Sequence, residues 1–172
     1  MTIDGKERKR TFSDIITDLQ SMKEDIAPLL EYRGYIGQTD YTRLQKYTIC
    51  ALMSGVWIPI PQVKQLLNIK IRNFNPSIDD FYDGTILAFQ KPFYNAIQVP
   101  YELKQTIDTL LFHTPFDLLF MDNVETPLTI QRIYNIIHIA FRVSTKELFK
   151  IWIESSQTNT LPYIQDLYQN TT

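Results

Sequence analysis

Residue types that build cofactor and metal sites are scarce in this chain. Its 172 residues include one cysteine, two histidines and five glycines. A single cysteine excludes an intrachain disulfide framework, so we expect a reducing compartment. The glycine-rich phosphate-binding motifs GxGxxG and GxxxxGK followed by Ser or Thr do not occur. We therefore expect a protein with no cofactor, no metal ion and no small-molecule substrate.

Long apolar runs are also missing. The longest, from Ile49 to Pro61, covers about 13 residues and is interrupted by prolines, whereas a membrane helix needs roughly 20. The N-terminus is charged from Asp4 onward, unlike the apolar region of a secretory signal. We therefore expect a soluble intracellular protein that does not bind membranes.

Side chains that can form a core are abundant. The hydrophobic fraction is 44%, with ten Tyr, ten Phe and two Trp. This composition is typical of a folded globular protein, and the length fits one domain. The net charge of −2 argues against a protein that coats nucleic acid by bulk electrostatics.

Two stretches nevertheless carry basic residues and no acidic ones. The first, between Tyr41 and Ile78, contains Arg43, Lys46, Lys64, Lys70 and Arg72. The second, between Glu125 and Glu147, contains Arg132, Arg142 and Lys146. Two interpretations stay open: these are ordinary solvated side chains, or they are the candidate DNA-binding residues of a basic surface.

Other reactive side chains are isolated. His113 and His138 have no further ligands at a recognisable metal spacing, so we expect structural roles for both. The adjacent carboxylates Asp79 and Asp80 lie in a polar stretch without histidine or EF-hand spacing. We expect no hydrolytic or metal chemistry there.

Apolar periodicity and capping residues predict a series of helices. In chain order these are a helix capped by Ser13 and kinked or ended by Pro28, one from Thr39 or Asp40 to Met53, a short one from Pro61 through Leu67, and one starting at Pro100 to Leu103. They are followed by a long helix entered at Thr126 and Pro127 and reaching Phe141, one after a capping box at Ser144 to Glu147, and a last one opened by Pro162.

The middle of the chain favours strands. Thr85 to Phe89 and Ala96 to Val99 predict a β-hairpin, Ile69 to Ile71 is β-prone, and Phe116 to Met121 reads as a short strand or extended segment. Asn73 to Asp83 reads as a polar loop. The predicted class is α+β, mainly α, with a small three-stranded antiparallel segment. Residues 1–38 form a basic arm and a helix, and residues 39–172 form the main globular unit.

The predicted core collects the apolar residues that keep these periods. It consists of Leu44, Leu52, Leu66, Ile69, Ile86, Ile97, Leu110, Ile133, Ile137, Leu148 and Trp152.

Several stretches together resemble one protein family. They are LMSGVWIPIPQVKQLLNIKIRNF at 52–74, DGTILAFQKPFYNAIQVPYEL at 83–103, Leu118 to Phe120, Thr126 to Thr129, and STKELFKIWI at 144–153. Their order resembles the catalytic domain of tyrosine recombinases, most closely the integrase-like proteins of large DNA viruses and their mobile elements.

The resemblance implies a protein that has lost the family's chemistry. Gln62 or Val63 stands where the family has its first phosphate-binding arginine, and Phe149, with Lys150 beside it, stands at the second. Lys91 lies close to the position of the family's hairpin lysine. We expect Gln62, Lys91 and Phe149 to cluster on one surface, as the matching positions do in the family. Tyr163 and Tyr168 are poor matches for its nucleophile.

The resemblance therefore implies a protein that binds without catalysing strand transfer. It predicts a structural or accessory component of a viral particle or assembly complex, held by protein partners in the host cytoplasm, the nucleus or the virion. The alternative is a module that binds duplex DNA without joining it. A minimal active recombinase is the third reading.

Overall fold

The computed structural model describes residues 2–3, 6–7, 9–54, 60–90, 95–99, 101–122 and 126–155. Within these ranges the α-helices are α1 Phe12–Ile26, α2 Gln38–Ser54, α3 Tyr101–Phe112, α4 Ile130–Phe141 and α5 Thr145–Ser155. The strands are β1 Thr2–Ile3, β2 Lys6–Glu7, β3 Phe81–Tyr82, β4 Ile86–Phe89 and β5 Asn95–Gln98. The predicted class, mainly helical with a small antiparallel sheet, is confirmed. The predicted helix at Pro162 lies outside the described residues.

Helix α2 is the central element of the fold. It contacts α1, α3, α4 and α5. Leu44, Thr48, Ile49, Cys50 and Leu52 on this helix are completely buried. Thr48 satisfies its hydroxyl by donating to the backbone carbonyl of Leu44 at 2.8 Å, so a polar side chain is accommodated inside the core. The helix begins at Gln38, before the predicted Thr39 or Asp40.

The predicted cap of α1 is wrong by two residues. Thr11, not Ser13, is the N-cap, and its hydroxyl accepts from the backbone N–H of Asp14 at 3.3 Å. The Asp14 carboxylate accepts in return from the backbone N–H of Thr11 at 2.9 Å. This reciprocal pair is a capping box in which aspartate replaces the usual glutamate. The helix ends at Ile26, and Pro28 lies in the 3-10 turn Ala27–Leu29, as predicted.

The predicted start of α4 is also wrong. Thr129 is the N-cap and accepts from the backbone N–H of Arg132 at 3.1 Å, whereas Pro127 lies ahead of the helix in a bridge with Met121. The cap of α5 is confirmed, because the Ser144 hydroxyl accepts from the backbone N–H of Glu147 at 3.1 Å. The short helix predicted from Pro61 through Leu67 is a 3-10 helix, Ile60–Asn68.

Strands β1 and β2 form an antiparallel pair, and a separate three-stranded antiparallel sheet has the order β3, β4, β5. The predicted hairpin of β4 and β5 is confirmed, with Leu87 opposite Ile97. The prediction of a polar loop from Asn73 to Asp83 is wrong at Phe81 and Tyr82. These two residues form strand β3 and pair with β4. In place of the predicted strand at 69–71, Lys70 makes isolated β-bridges to Phe81 and to Leu118. The segments that contain Phe81 and Leu118 run beside Lys70 for too short a distance to form a ladder.

One continuous cluster of buried side chains forms the core. Of the predicted core residues, Leu44, Leu52, Leu66, Ile69, Leu110, Ile133, Ile137 and Leu148 are buried. Ile86 is a wrong prediction, because it is 36% exposed at the first position of β4 while Leu87 is buried. The side chains of Ile97 and Trp152 lie outside those described. Ile15 and Ile26 of α1 join the same cluster as α2.

None of the helices in the described ranges is long and apolar enough to cross a membrane.

Candidate functional site

The positions matched to the recombinase family are only partly described. The backbone of Gln62 lies in the 3-10 helix, but its side chain, like Lys91, Tyr163 and Tyr168, is outside the described residues. Phe149 is buried at 8% exposure on α5, and Lys150 beside it is exposed. The clustering of Gln62, Lys91 and Phe149 therefore stays a prediction.

Arg72 is a structural residue rather than a free cation. One terminal nitrogen of its guanidinium, Nη1, donates to the backbone carbonyls of Thr114 and Phe116, both at 2.7 Å, and Nη2 donates to that of Leu111 at 3.5 Å. These carbonyls lie at and just beyond the C-terminus of α3, where a helix has unsatisfied acceptors and a partial negative charge. Arg72 therefore fixes the end of α3, and its role as a candidate DNA-binding residue stays a prediction.

Two further basic candidates already have acidic partners. Arg43 pairs with Asp40 one turn earlier on α2. The Lys70 ammonium lies 3.5 Å from the Asp79 carboxylate. Surface pairs of this kind contribute little to stability, but they lower the local positive potential that would attract phosphates.

The remaining basic candidates differ in exposure. Lys46 is half-buried on α2, while Lys64, Arg132, Arg142 and Lys146 are exposed. Arg132 is near the start of α4 and Arg142 follows its last residue, so they are separated by about 15 Å along the helix axis. Arg142 also adopts the left-handed conformation that ends the helix, with φ of 60°.

Three exposed aromatic side chains lie in the loop 31–37 and at the C-terminal end of α3. Tyr35 is 89% exposed, Phe112 52% and Tyr32 48%. The Arg33 guanidinium lies 5.1 Å from the centroid of the Phe112 ring, a cation–π distance, and donates to the backbone carbonyl of Leu30 at 3.1 Å. We call Tyr32, Arg33, Tyr35 and Phe112 the aromatic surface. It joins the loop 31–37 to the C-terminal end of α3.

A cleft of about 400 Å³ opens beside the aromatic surface. Tyr35, Tyr41, His113, Phe116 and Asp122 contribute to its walls. The Tyr41 hydroxyl lies 3.1 Å from the Thr114 hydroxyl, which ties α2 to the end of α3. Burial raises the pKa of Tyr41, although the bond to Thr114 acts in the opposite direction. The cleft thus combines aromatic walls with a few fixed polar groups, as binding sites usually do.

His113 lies where the cleft meets the aromatic surface. Its ring meets the Phe112 ring edge-on, with centroids 5.1 Å apart. Its Nε2 is buried and has no hydrogen-bond partner among the described residues. Burial lowers the pKa of His113 from its ordinary 6.5; the backbone carbonyl of Tyr32 raises it and the positive charge of Arg33 lowers it further.

A second cleft, of about 510 Å³, contains the paired carboxylates Asp79 and Asp80. Asp79 accepts from the backbone N–H of Asn75 at 2.8 Å, and this bond lowers its pKa. Asp80 is buried and accepts from the backbone N–H of Gln90 at 2.6 Å, while burial raises its pKa. Both carboxylates therefore hold the chain around 75–90 in place, in agreement with a structural role.

Comparisons of the chain with protein-family models, with curated proteins and with solved structures gave no match. An inference about function therefore depends on the geometry of the aromatic surface and its cleft.

Proposed function

We propose that this chain acts by binding another protein and not by catalysis, as a structural or accessory component of a viral particle or assembly complex. The observation that carries the proposal is the aromatic surface. Tyrosine, phenylalanine and arginine are enriched at protein interfaces and supply much of their binding energy, since rigid rings bury a large area at low entropic cost. Here Arg33 lies over the exposed Phe112 ring, two exposed tyrosines stand in the same loop as Arg33, and Tyr35 lines a cleft.

The recombinase-like part of the proposal is supported by the order of elements. Helix α2, the 3-10 helix, the β4–β5 hairpin and α3, α4 and α5 follow one another as the resemblance predicts. Strand transfer needs two guanidiniums on the phosphate, because negative charge accumulates on its oxygens in the transition state. The buried Phe149 offers no charge at the second of these positions. These features favour a degenerate relative over an active enzyme.

Binding to duplex DNA is the second candidate function. The exposed Arg132, Arg142 and Lys146 favour it, since residues 126–146 contain no acidic side chain. The internal role of Arg72 and the pairing of Arg43 and Lys70 weigh against it. A protein partner is therefore the better supported candidate.

Site-specific photo-cross-linking tests the proposal. We would place p-benzoylphenylalanine at Tyr35, on the aromatic surface, and, as a matched control, at Tyr101, which is 78% exposed at the opposite end of α3. In an extract of the native source, irradiation is expected to give a discrete protein adduct from position 35 and none from position 101. Mass spectrometry then identifies the partner.

Affinity for the identified partner gives the quantitative arm. Phe112→Ser is expected to weaken binding by about 10-fold or more, as hot-spot truncations do, while Tyr101→Ser leaves it unchanged. Identical adducts from positions 35 and 101, or equal affinities for the two variants, would contradict a role for the aromatic surface.

A further inference from the structure

The guanidinium of Arg33 is held at a fixed place on the aromatic surface. Its Nη1 donates to the backbone carbonyl of Leu30 at 3.1 Å and to that of Tyr32 at 3.3 Å. The Leu30 side chain is buried, and the Leu30 carbonyl also accepts from the Thr109 hydroxyl of α3 at 3.1 Å. Arg33 is therefore anchored to a backbone segment that the core keeps in position.

The Phe112 ring restrains the same guanidinium from a second side. Arg33 Cζ lies 5.1 Å from the centroid of this ring. A cation–π contact is an attraction between the charge and the ring, so it requires no N–H group to be donated to an acceptor. Arg33 is exposed and Phe112 is 52% exposed, so a partner can reach both side chains.

Two nitrogens of this guanidinium still have N–H groups to donate. A guanidinium carries five N–H donors in one planar group, and the bonds to the two carbonyls use only Nη1. Nε and Nη2 of Arg33 make no hydrogen bond within the described part of the chain. Their N–H groups form the fork that matches the two oxygens of a carboxylate. The aromatic surface therefore presents an unused bidentate donor.

The charge of Arg33 is likewise not neutralised by a described acidic side chain. The ion pairs within the described ranges do not include it; they are Arg10 with Asp18, Arg43 with Asp40, Lys70 with Asp79 and Lys104 with Asp108. A guanidinium that is already restrained loses little further conformational freedom when it binds an anion. Charge complementarity therefore selects a negatively charged group as the ligand.

A single carboxylate fits this position better than a nucleic-acid backbone does. Phosphate backbones are bound by several cations together. Arg72, at the same end of α3, is directed to backbone carbonyls. Glu31 in the same loop and Asp122 on the wall of the adjacent cleft add negative charge, which repels a continuous row of phosphates more than one carboxylate.

We propose that Arg33 determines the specificity of the aromatic surface: its Nε–H and Nη2–H together bind a side-chain carboxylate in an acidic segment of the protein partner, beside the Phe112 ring. This inference rests on the proposed function and names the chemistry of the partner. Binding of an acidic segment is nevertheless measured with the isolated full chain.

NMR titration of the isotope-labelled full chain tests the inference. The probe is a capped synthetic peptide of glutamates around a central phenylalanine, and its control has glutamine at every glutamate position. At about pH 7 the glutamates are ionised. We expect the glutamate peptide to shift the Arg33 Nε–H signal and the neutral glutamine peptide to leave it unchanged.

Substitution of Arg33 separates the fork from the charge. Arg33→Lys keeps the charge but has no fork, so it should weaken binding of the glutamate peptide by about 10-fold or more. Tyr101→Ser, at the opposite end of α3, should keep the wild-type affinity. Wild-type affinity in Arg33→Lys, or equal binding of the two peptides, would overturn the inference. If Arg33→Lys does not fold, the peptide pair with the wild-type chain decides.

Two further outcomes identify which proposal has failed. Duplex DNA that shifts the Arg33 Nε–H signal, when the glutamate peptide does not, would replace the carboxylate by a phosphate ligand and overturn the inference. A partner that is cross-linked at position 35 and binds Arg33→Lys as tightly as the wild type would overturn this inference alone. Specific binding of the glutamate peptide without any adduct from position 35 would contradict the proposed function and support the carboxylate site.

Discussion

Residues of the same type that are close in sequence differ in burial. Ile137 and Ile139 lie two positions apart on α4, yet the first is fully buried and the second is 72% exposed. Their side chains point to opposite sides of the helix because successive residues rotate by about 100°. The helical wheel therefore places Ile137 in the core and leaves Ile139 on the surface, where substitution is tolerated.

This pair defines a stability prediction. Ile137→Ala should lower the free energy of unfolding by about 2 to 5 kcal/mol, since it removes buried methyl groups and leaves a cavity. Ile139→Ala, the matched control, should change it by less than about 0.5 kcal/mol. Urea denaturation followed by circular dichroism measures both. Equal losses from the two substitutions would contradict the observed packing of α4.

At the scale of elements, helices with clear apolar periodicity were predictable and their ends were less so. Thr11 and Ser13 are both good caps, and the choice depends on Asp14 reaching back to Thr11. Strand β3 has two residues, too few to show a period of two. Arg72 bonds to backbone carbonyls about 40 positions further along the chain, so no local sequence pattern predicts this contact.

The cap of α1 can be tested by substitution. Thr11→Ala should destabilise the protein by about 1 kcal/mol, because it breaks the capping box. Ser13→Ala should have almost no effect, since the N-cap lies two residues earlier. Thermal unfolding of the two variants beside the wild type distinguishes them. A larger loss from Ser13→Ala would restore the cap expected from the sequence.

At the scale of the whole molecule, the proposed function rests on a surface that composition alone did not reveal. Twenty tyrosines and phenylalanines are present, and most such residues serve cores, so nothing in their number marks the exposed ones. Tyr35 lies between Gly34 and Gly37 in the loop 31–37. The aromatic surface forms only because the fold places the loop 31–37 beside the C-terminal end of α3.

The proposed lack of catalysis is a prediction for the whole chain. Incubation with nicked duplex DNA, followed by denaturing electrophoresis, should give no covalent protein–DNA adduct. Loss of one group that stabilises the transition state typically costs about 100- to 1,000-fold in rate, and here two arginine positions differ from the family. An adduct that disappears in Tyr163→Phe or Tyr168→Phe would instead identify a minimal recombinase. Duplex binding that weakens steeply with salt, without an adduct, would favour the second candidate.

The reactivity of the Cys50 thiol reports the opening of the core. Burial raises the pKa of its thiol to about 12, so the reactive thiolate is nearly absent in the folded protein. The side chain lies on the helix that contacts each of the other four described helices. A thiol reagent reaches it only when that core separates. Its labelling rate therefore follows the opening of the core.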